Sequence, residues 1–456
     1  MGIRLSRNRS LEEADRRYIW HPFTQMKEWV ESEPVIIEEG RGVFLKDIYG
    51  RWYIDGVASI WVNVHGHRRR EIDEAIKAQL DRIAHSTLLG LGNVPSVELA
   101  ERLVSIAPRG LTRVFYSDNG STSVEVALKM AFQYWQHKGE KNRTAFLCLN
   151  NAYHGDTIGA VSVGGIELFH EIFRPLLFRS YRAPSPYCYR CELGLEREGC
   201  GLACLEEMER ILRRHHEEIA AIIIEPMVQG AGGMILFPEG YLRGVSGLCK
   251  KYGLLLIADE VAVGFGRTGR IFACEHEDVV PDFLCLSKGI TGGYLPLAVT
   301  LTTEEVYSAF LGEFSELKTF FHGHSYTGNP LACAAAMASL ELFFRDNILD
   351  AVRQKEGILK DWFEEIRALP HVGDARGIGL IGGVELVEDR QKKTPYPYEL
   401  KMGYRVCEHA RQKGLLIRPL GNVVVIMPPL CISQRELQRM LDIIAESIEE
   451  VTSSEG

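Results

Sequence analysis

Two residues in this chain carry reactive groups where a buried sheet would present them. Residues 254–296 read LLLIADEVAVGFGRTGRIFACEHEDVVPDFLCLSKGITGGYLP. The apolar run 254–258 stops at Asp259-Glu260, and a second run, 283–286, stops at Ser287-Lys288-Gly289. Runs apolar on both faces fit a parallel sheet covered by helices better than a half-exposed antiparallel one. Ligands of such sheets sit beyond the carboxyl ends of the strands. Asp259 and Lys288 are therefore expected to meet at one crevice.

A desolvated lysine gives up its proton more easily and becomes an amine nucleophile able to form a Schiff base. A buried carboxylate beside a pyridine nitrogen keeps that nitrogen protonated, so that the ring can accept electrons. Together they make the protein half of pyridoxal phosphate chemistry. Gly289, Gly292 and Gly293 would let backbone approach such a cofactor closely. The same two residues also suit an ordinary salt bridge between a strand-end aspartate and a helix-start lysine. Gly264, Gly266 and Gly269 spell G-x-G-x-x-G, the mark of a nucleotide-binding dehydrogenase. No amphipathic helix opens there and no acid-bearing strand follows at the required distance, so this reading is the distant alternative.

Other elements are expected to converge on that crevice. A short strand, 114–116, runs into Ser117-Asp118-Asn119-Gly120-Ser121-Thr122-Ser123, followed by a helix with Val124, Ala127, Leu128, Ala131 and Trp135 as its apolar stripe. The N-terminus of such a helix favours an anion such as a phosphate, and it equally suits an ordinary N-cap. The run 145–149 leads to Tyr153, placed to stack on a planar ring, and 219–224 ends at Glu225-Pro226. His65/His67 and His322/His324 share i, i+2 spacing but lack a third metal ligand, which favours loop or pocket roles. Cys188, Cys191, Cys200 and Cys204 are spaced C-x2-C-x8-C-x3-C. Both close pairs have metal-ligand spacing, so a structural zinc and a surface insertion with unliganded thiols are both open.

Composition bounds the rest. The 456 residues are 46% hydrophobic and 25% charged, which describes a globular protein of two or more domains. A net charge of −9 argues against a general nucleic-acid binder. No apolar run reaches membrane-spanning length, and residues 1–17 are charged and lack a signal-peptide core. Met1-Gly2 with Ser6 fits a myristoylation pattern too short to outweigh chance. The seven cysteines outside the cluster are scattered, several in apolar runs, which suits a reduced, cytoplasmic protein.

An aromatic, irregular arm is expected over 15–29, a small antiparallel sheet over 35–64, and a helix over 71–83 with Ile72, Ile76, Leu80 and Ile83 on one face. Strand–helix alternation from Arg113 marks an α/β layer fold. The apolar helix 331–344 opens at Pro330 and is expected to be buried between domains. Beyond it lies a smaller α+β domain, with strands near 378–387 and 423–427, helices near 350–367 and 399–413, and a last helix capped by Ser433 and Glu436. The expected division is 1–70 as arm and small sheet belonging to the small domain, 71–330 as the large domain, and 331–456 as the interdomain helix and the rest of the small domain.

The combination LLLIADEVAVGFGRTG, PDFLCLSKGITGGYLP and HGHSYTGNPLACAAA resembles the class III, fold-type I pyridoxal-phosphate aminotransferases. IWHPFTQM (19–26), YHGDTIGAVSV (153–163) and IIEPMVQGAGGM (223–234) narrow the likeness to the branch that aminates 8-amino-7-oxononanoate in biotin biosynthesis. It covers nearly the whole chain and leaves out the cysteine insertion. The resemblance implies a homodimer with active sites at the subunit interface and small-molecule substrates. It implies that Lys288 holds the cofactor and moves the proton, that Asp259 faces the pyridine nitrogen, that Gly120 and Ser121 bind phosphate, and that Tyr153 lies over the ring. His324 and Ser325 would reach the phosphate from the second subunit, Gly323 would touch substrate through its backbone, and Arg418 would receive the substrate carboxylate. Phe23 stands where a substrate-contacting tyrosine is usual, Ile60 where the first of two tryptophans is usual, leaving Trp61, and His324 where a proline is usual. These departures leave the amino donor open between S-adenosylmethionine and lysine and tilt the resemblance toward the lysine-using branch.

Overall fold

A computed structural model describes residues 2–453. Its centre is a seven-stranded sheet in the order Leu111–Ser117, Ala298–Thr303, Phe283–Leu286, Leu255–Asp259, Ile219–Ile224, Ala145–Leu149, Ser180–Ala183. Ala298–Thr303 runs antiparallel to both of its neighbours, and the remaining pairings are parallel. Side chains alternate between two buried faces. Phe146, Cys148, Ile223, Ile257 and Phe283 pack under the helix Gly120–His137. Leu147, Leu149, Ile222, Ile224, Leu256 and Leu284 join the larger core on the other side. Burial on both faces explains the uninterrupted apolar runs, and each such side chain contributes roughly 1.5–3 kcal/mol. Register sets Asp259 opposite Cys285, three residues before Lys288, so both chemical residues leave the sheet at the same end.

Three smaller sheets accompany it, the smallest pairing Val228–Gln229 with Ile235–Leu236. Ile37–Arg41, Phe44–Asp47 and Trp52–Asp55 form an antiparallel meander, and Leu415–Leu416 adds to its edge parallel to Trp52–Asp55. Val372–Ile378, Ile381–Asp389, Val423–Ile426 and Pro419–Leu420 form the other, with Thr394–Pro395 on the side. The helix Pro330–Arg345 opens with the Asn329 side chain accepting from the Leu331 and Ala332 N–H groups, both at 3.1 Å. Its small residues Ala332, Ala335 and Ala336 are buried where it packs against the helices Arg70–Leu80 and Val94–Ile106. At the last helix, Gln434–Ser453, the Glu436 carboxylate accepts from Ser433 N at 2.8 Å while Ser433 Oγ accepts from Glu436 N at 3.2 Å, closing the expected capping box.

Three expectations are corrected. The arm is not irregular throughout. A helix, Gly2–Tyr18, runs into it and a short one, Met26–Glu31, follows. The first helix is too polar for periodicity to reveal; it is anchored by polar contacts, Asn8 Nδ2 to Ile48 O at 2.8 Å and Tyr49 Oη to Glu12 at 2.8 Å. The helix expected to reach residue 83 ends at Leu80, and Leu80 and Ile83 are exposed rather than part of a core face. The edge strand expected over 114–116 is longer, Leu111–Ser117. No helix among the described residues is long and apolar enough to cross a membrane.

Candidate active site

A cavity of about 740 Å³ opens beyond the carboxyl ends of the central strands. Lys288, Asp259, Tyr153, Gly120, Ser121, Ile60 and Trp61 all line it, so seven of the sequence-expected site residues converge. Lys288 follows the strand Phe283–Leu286 in the left-handed region, at φ 44°, a conformation an L-residue keeps only when its surroundings impose it. Its Nζ lies 4.6 Å from the centre of the Trp61 ring. Burial pushes the amine down to about 8, against the pull of the Asp259 and Glu225 carboxylates toward the charged form. A lysine so placed holds its proton loosely at neutral pH.

Asp259 is held at both oxygens. Val261 N–H donates to Oδ1 at 3.0 Å, and Nδ1 of the buried His154 donates to Oδ2 at 2.7 Å. His154 Nε2 is buried and has no partner among the described residues. Glu225, at the end of the neighbouring strand, accepts from Tyr153 N at 3.1 Å and Gly230 N at 2.9 Å. Burial pushes its carboxyl up to about 7. His154 and Glu225 were not singled out from the sequence as site residues. The signal was present, because each sits at or just past the carboxyl end of a buried strand, as Asp259 does.

The helix Gly120–His137 points its N-terminus at the cavity. Asn119 caps it, its side chain accepting from Thr122 N at 3.1 Å. The ordinary-cap reading is thus realised, and it still leaves the Gly120 and Ser121 N–H groups without acceptors inside the helix. A Cβ on Gly120 would come within 2.5 Å of Val261 Cγ1, and one on Gly155 within 2.4 Å of the Ser121 side chain. Ser121 Oγ meets Thr157 Oγ1 at 2.7 Å. These bare backbones, free N–H groups and hydroxyls form a cradle suited to a phosphate.

Ser59, Ile60 and Trp61 of the turn Ala58–Trp61 also line the cavity, and the turn's four consecutive non-glycine residues all have positive φ, from 47° to 69°. Such residues cost roughly 1–2 kcal/mol each. Tyr153 donates from its hydroxyl to Asp156 at 2.8 Å, with Phe169 at its edge and Phe23 against Phe169 in turn. Phe23 and Arg418 lie outside the cavity lining and touch each other, Arg418 Nη2 donating to Phe23 O at 3.2 Å. Gly323, His324 and Ser325 do not line this cavity. They occupy a loop where His324 and Thr327 bond each other, and His324 Nε2 is buried without a partner among the described residues.

The zinc expectation is not supported. Among the described residues no three His, Cys, Asp or Glu side chains are arranged to hold a metal, and Cys188, Cys191, Cys200 and Cys204 are half-buried free thiols. Their segment is anchored instead by Tyr187 and Arg190, which donate to Glu385. The histidine pairs are tied elsewhere: His65 to Ser339 at 3.1 Å, His67 to Asp55 at 2.9 Å, His322 to Lys129 at 3.0 Å.

A lysine amine and an aspartate at neighbouring strand ends, facing a helix-terminus cradle across a mostly parallel sheet, define a fold-type I transaminase. Comparison with known proteins agrees, and the chain belongs to the class-III aminotransferases, whose family pattern it matches over residues 25–448. It is 58% identical over 444 residues to the adenosylmethionine-8-amino-7-oxononanoate aminotransferase of Geobacter sulfurreducens, covering 97% of this chain and 98% of that one. The crystal structure of the Methanocaldococcus jannaschii protein of the same name superposes with a TM-score of 0.93 at 50% identity, over 97% and 99% of the two chains. An (S)-enantioselective omega-transaminase from Thermomicrobium roseum superposes with a TM-score of 0.92 at 35% identity, over 98% of each chain. Membership of this family implies pyridoxal phosphate as cofactor.

Proposed function

We propose that this aminotransferase converts 8-amino-7-oxononanoate to 7,8-diaminononanoate in biotin biosynthesis, taking its amino group from S-adenosylmethionine or lysine. The observation that carries the reading is near-full-length identity of 58% to a protein named for that reaction, joined to a cavity holding the lysine, the aspartate and the phosphate cradle.

The residues present fit pyridoxal phosphate. Gly120 and Gly155 leave room that a Cβ would fill, Ser121 offers N–H and hydroxyl to the phosphate, and Asp259 keeps free lone pairs toward a ring nitrogen. When bound, the cofactor supplies an aldehyde that carries the amino group and a ring that takes up electron density from the reacting carbon. Lys288 would hold the cofactor through its Nζ and would use the same nitrogen to move a proton to or from the substrate carbon. Asp259, fixed by His154, keeps a proton on the ring nitrogen. Tyr153 would cover the ring, Trp61 and Ile60 would flank the apolar chain of the substrate, and Phe23, outside the cavity lining, reaches Tyr153 through Phe169. Arg418 receives the carboxylate as a paired guanidinium contact, and Gly323 meets substrate through its backbone. His324 and Ser325, which lie away from this cavity, would reach the phosphate held by the opposite subunit of a homodimer.

The same reading divides the chain into residues 1–70 with the small domain, a large cofactor domain over 71–330, and the interdomain helix and remaining small domain over 331–456. The pairing of Leu415–Leu416 with Trp52–Asp55 supports joining the two ends. Cysteines that are all free thiols support work in the cytoplasm.

The test is turnover of 8-amino-7-oxononanoate by purified enzyme with S-adenosylmethionine and with lysine as separate donors. Formation of the diamine with one donor is expected, and turnover with neither would overturn the assignment. Likeness to omega-transaminases favours a second reading, amine transfer to other ketones or ω-amino acids, and a panel of keto acids run in parallel separates the two.

A further inference from the structure

The turn Ala58–Trp61 brings Ser59, Ile60 and Trp61 to the cavity lining, and nothing in its own sequence, ASIW, favours a left-handed conformation. Backbone bonds close it, Trp61 N donating to Val57 O at 2.9 Å and Val62 N to Ala58 O at 3.0 Å, and a side chain outside the turn ties it down. That side chain is Asp55, itself only 1% exposed. One carboxylate oxygen accepts from Ser59 N at 2.8 Å. The other accepts from Ser59 Oγ at 2.8 Å and lies 2.9 Å from His67 Nε2. The strand fixes Asp55 in turn, since its N–H donates to Val43 O at 2.8 Å. The charged groups facing this carboxylate are His67 and the buried Arg267, whose guanidinium it attracts.

Movement of the turn would be felt at the reacting centre. The Trp61 ring is packed between the Gly230 backbone, which a Cβ would bring to 3.3 Å, and the Lys288 nitrogen at 4.6 Å. Val62 and Asn63, just beyond the turn, pack against Gly293 in the loop that follows Lys288. Asp55 itself is outside the cavity lining. We propose that Asp55 is a positioning residue: it clamps the left-handed turn and so sets where Ile60 and Trp61 stand against the substrate and against Lys288. The reading rests on the transamination assignment only for the choice of substrate in the assay.

Asp55→Asn in the loaded enzyme should raise KM for 8-amino-7-oxononanoate about tenfold with a smaller change in kcat, because the wall that orients the chain is loosened. The visible absorbance of the cofactor joined to Lys288 should titrate about half a unit lower in pH, because the aromatic face that favours the protonated nitrogen has shifted away. Ala58→Gly removes strain without touching the cavity, since glycine adopts positive φ freely. In the Asp55→Asn background it should restore both readouts toward wild type. If Asp55 merely supported overall stability, replacing a fully buried alanine by glycine would worsen the double variant, and that result overturns the proposal. Ser59→Ala, which deletes one of the three contacts and leaves Asp55 in place, should move KM and the titration the same way by a smaller factor. Unchanged values in Ser59→Ala also overturn it, whether or not Asp55→Asn folds. The spectral titration needs no substrate, so it separates failure of this inference from failure of the substrate assignment.

Discussion

The Lys288 amine makes a quantitative prediction. Its proton is held with a pKa of about 8, against an ordinary value of 10.5. At pH 7 roughly one amine in ten is then free, against about one in three thousand for an ordinary lysine, a gain of about 300-fold in nucleophile. Brief labelling of the cofactor-free enzyme with trace acetic anhydride, followed by mass spectrometry of the Lys288 peptide, reads that fraction directly. Labelling of Lys288 at a fixed reagent exposure should climb with pH through a midpoint near 8 and level off by about pH 9.5, while its ratio to an added lysine peptide stays flat below pH 8 and falls above it. Glu225→Gln removes a carboxylate that favours the charged amine, so the midpoint should move down. Labelling of Lys288 that keeps rising beyond about pH 9.5 with no plateau, or a midpoint that moves up in Glu225→Gln, would refute the desolvation argument.

Lys288→Ala should retain the cofactor without a covalent bond and lose about a thousand-fold or more in turnover, since attachment and proton transfer vanish together; normal multiple turnover would sink the assignment. Gly120→Ala drives a methyl to 2.5 Å from Val261, and equilibrium dialysis should show cofactor affinity down by about tenfold or more. His154→Ala strips Asp259 of its buried donor and should cost about 1–3 kcal/mol in chemical denaturation, with His154→Gln recovering part; equal stability of all three proteins would count against the contact. Glu225 has a folded pKa of about 7, raised above its ordinary 4.5, so its share of stability is complete below 4.5 and lost as pH rises through 7. Denaturation of the cofactor-free enzyme should show that loss, and Glu225→Gln should flatten it.

Much of the sheet was legible because its strands are buried on both faces. The runs 145–149 and 219–224 coincide with the observed strands, and 254–258 is displaced by one residue, because Asp259 continues the pairing that its side chain terminates chemically. Lys288, Asp259, Tyr153 and the Gly120-Ser121 pair were readable because strand ends and helix starts are where this architecture puts ligands. Arg418, Phe23 and the loop 323–325 rest on likeness alone, since their places depend on how distant parts of the chain, and a second subunit, come together. Two features escaped for local reasons. The reversed strand Ala298–Thr303 carries threonines at alternate places, and Thr300 and Thr302 bury their hydroxyls against carbonyls, at 2.8 and 2.9 Å, so it lacks a clean apolar signature. The left-handed turn escaped because no residue within it prefers that conformation; the cause lies in Asp55, three residues before the turn begins.

The meander formed by Ile37–Arg41, Phe44–Asp47 and Trp52–Asp55 gets its last strand from Leu415–Leu416, more than three hundred residues downstream. During synthesis the early hairpins therefore wait, one edge open, until almost the whole polypeptide has emerged, while the intervening α/β layers can already collapse. An unpaired edge held that long is a template for wrong partners. Ribosome-bound chains stopped before residue 415 should therefore lean on chaperones far more than chains released at full length.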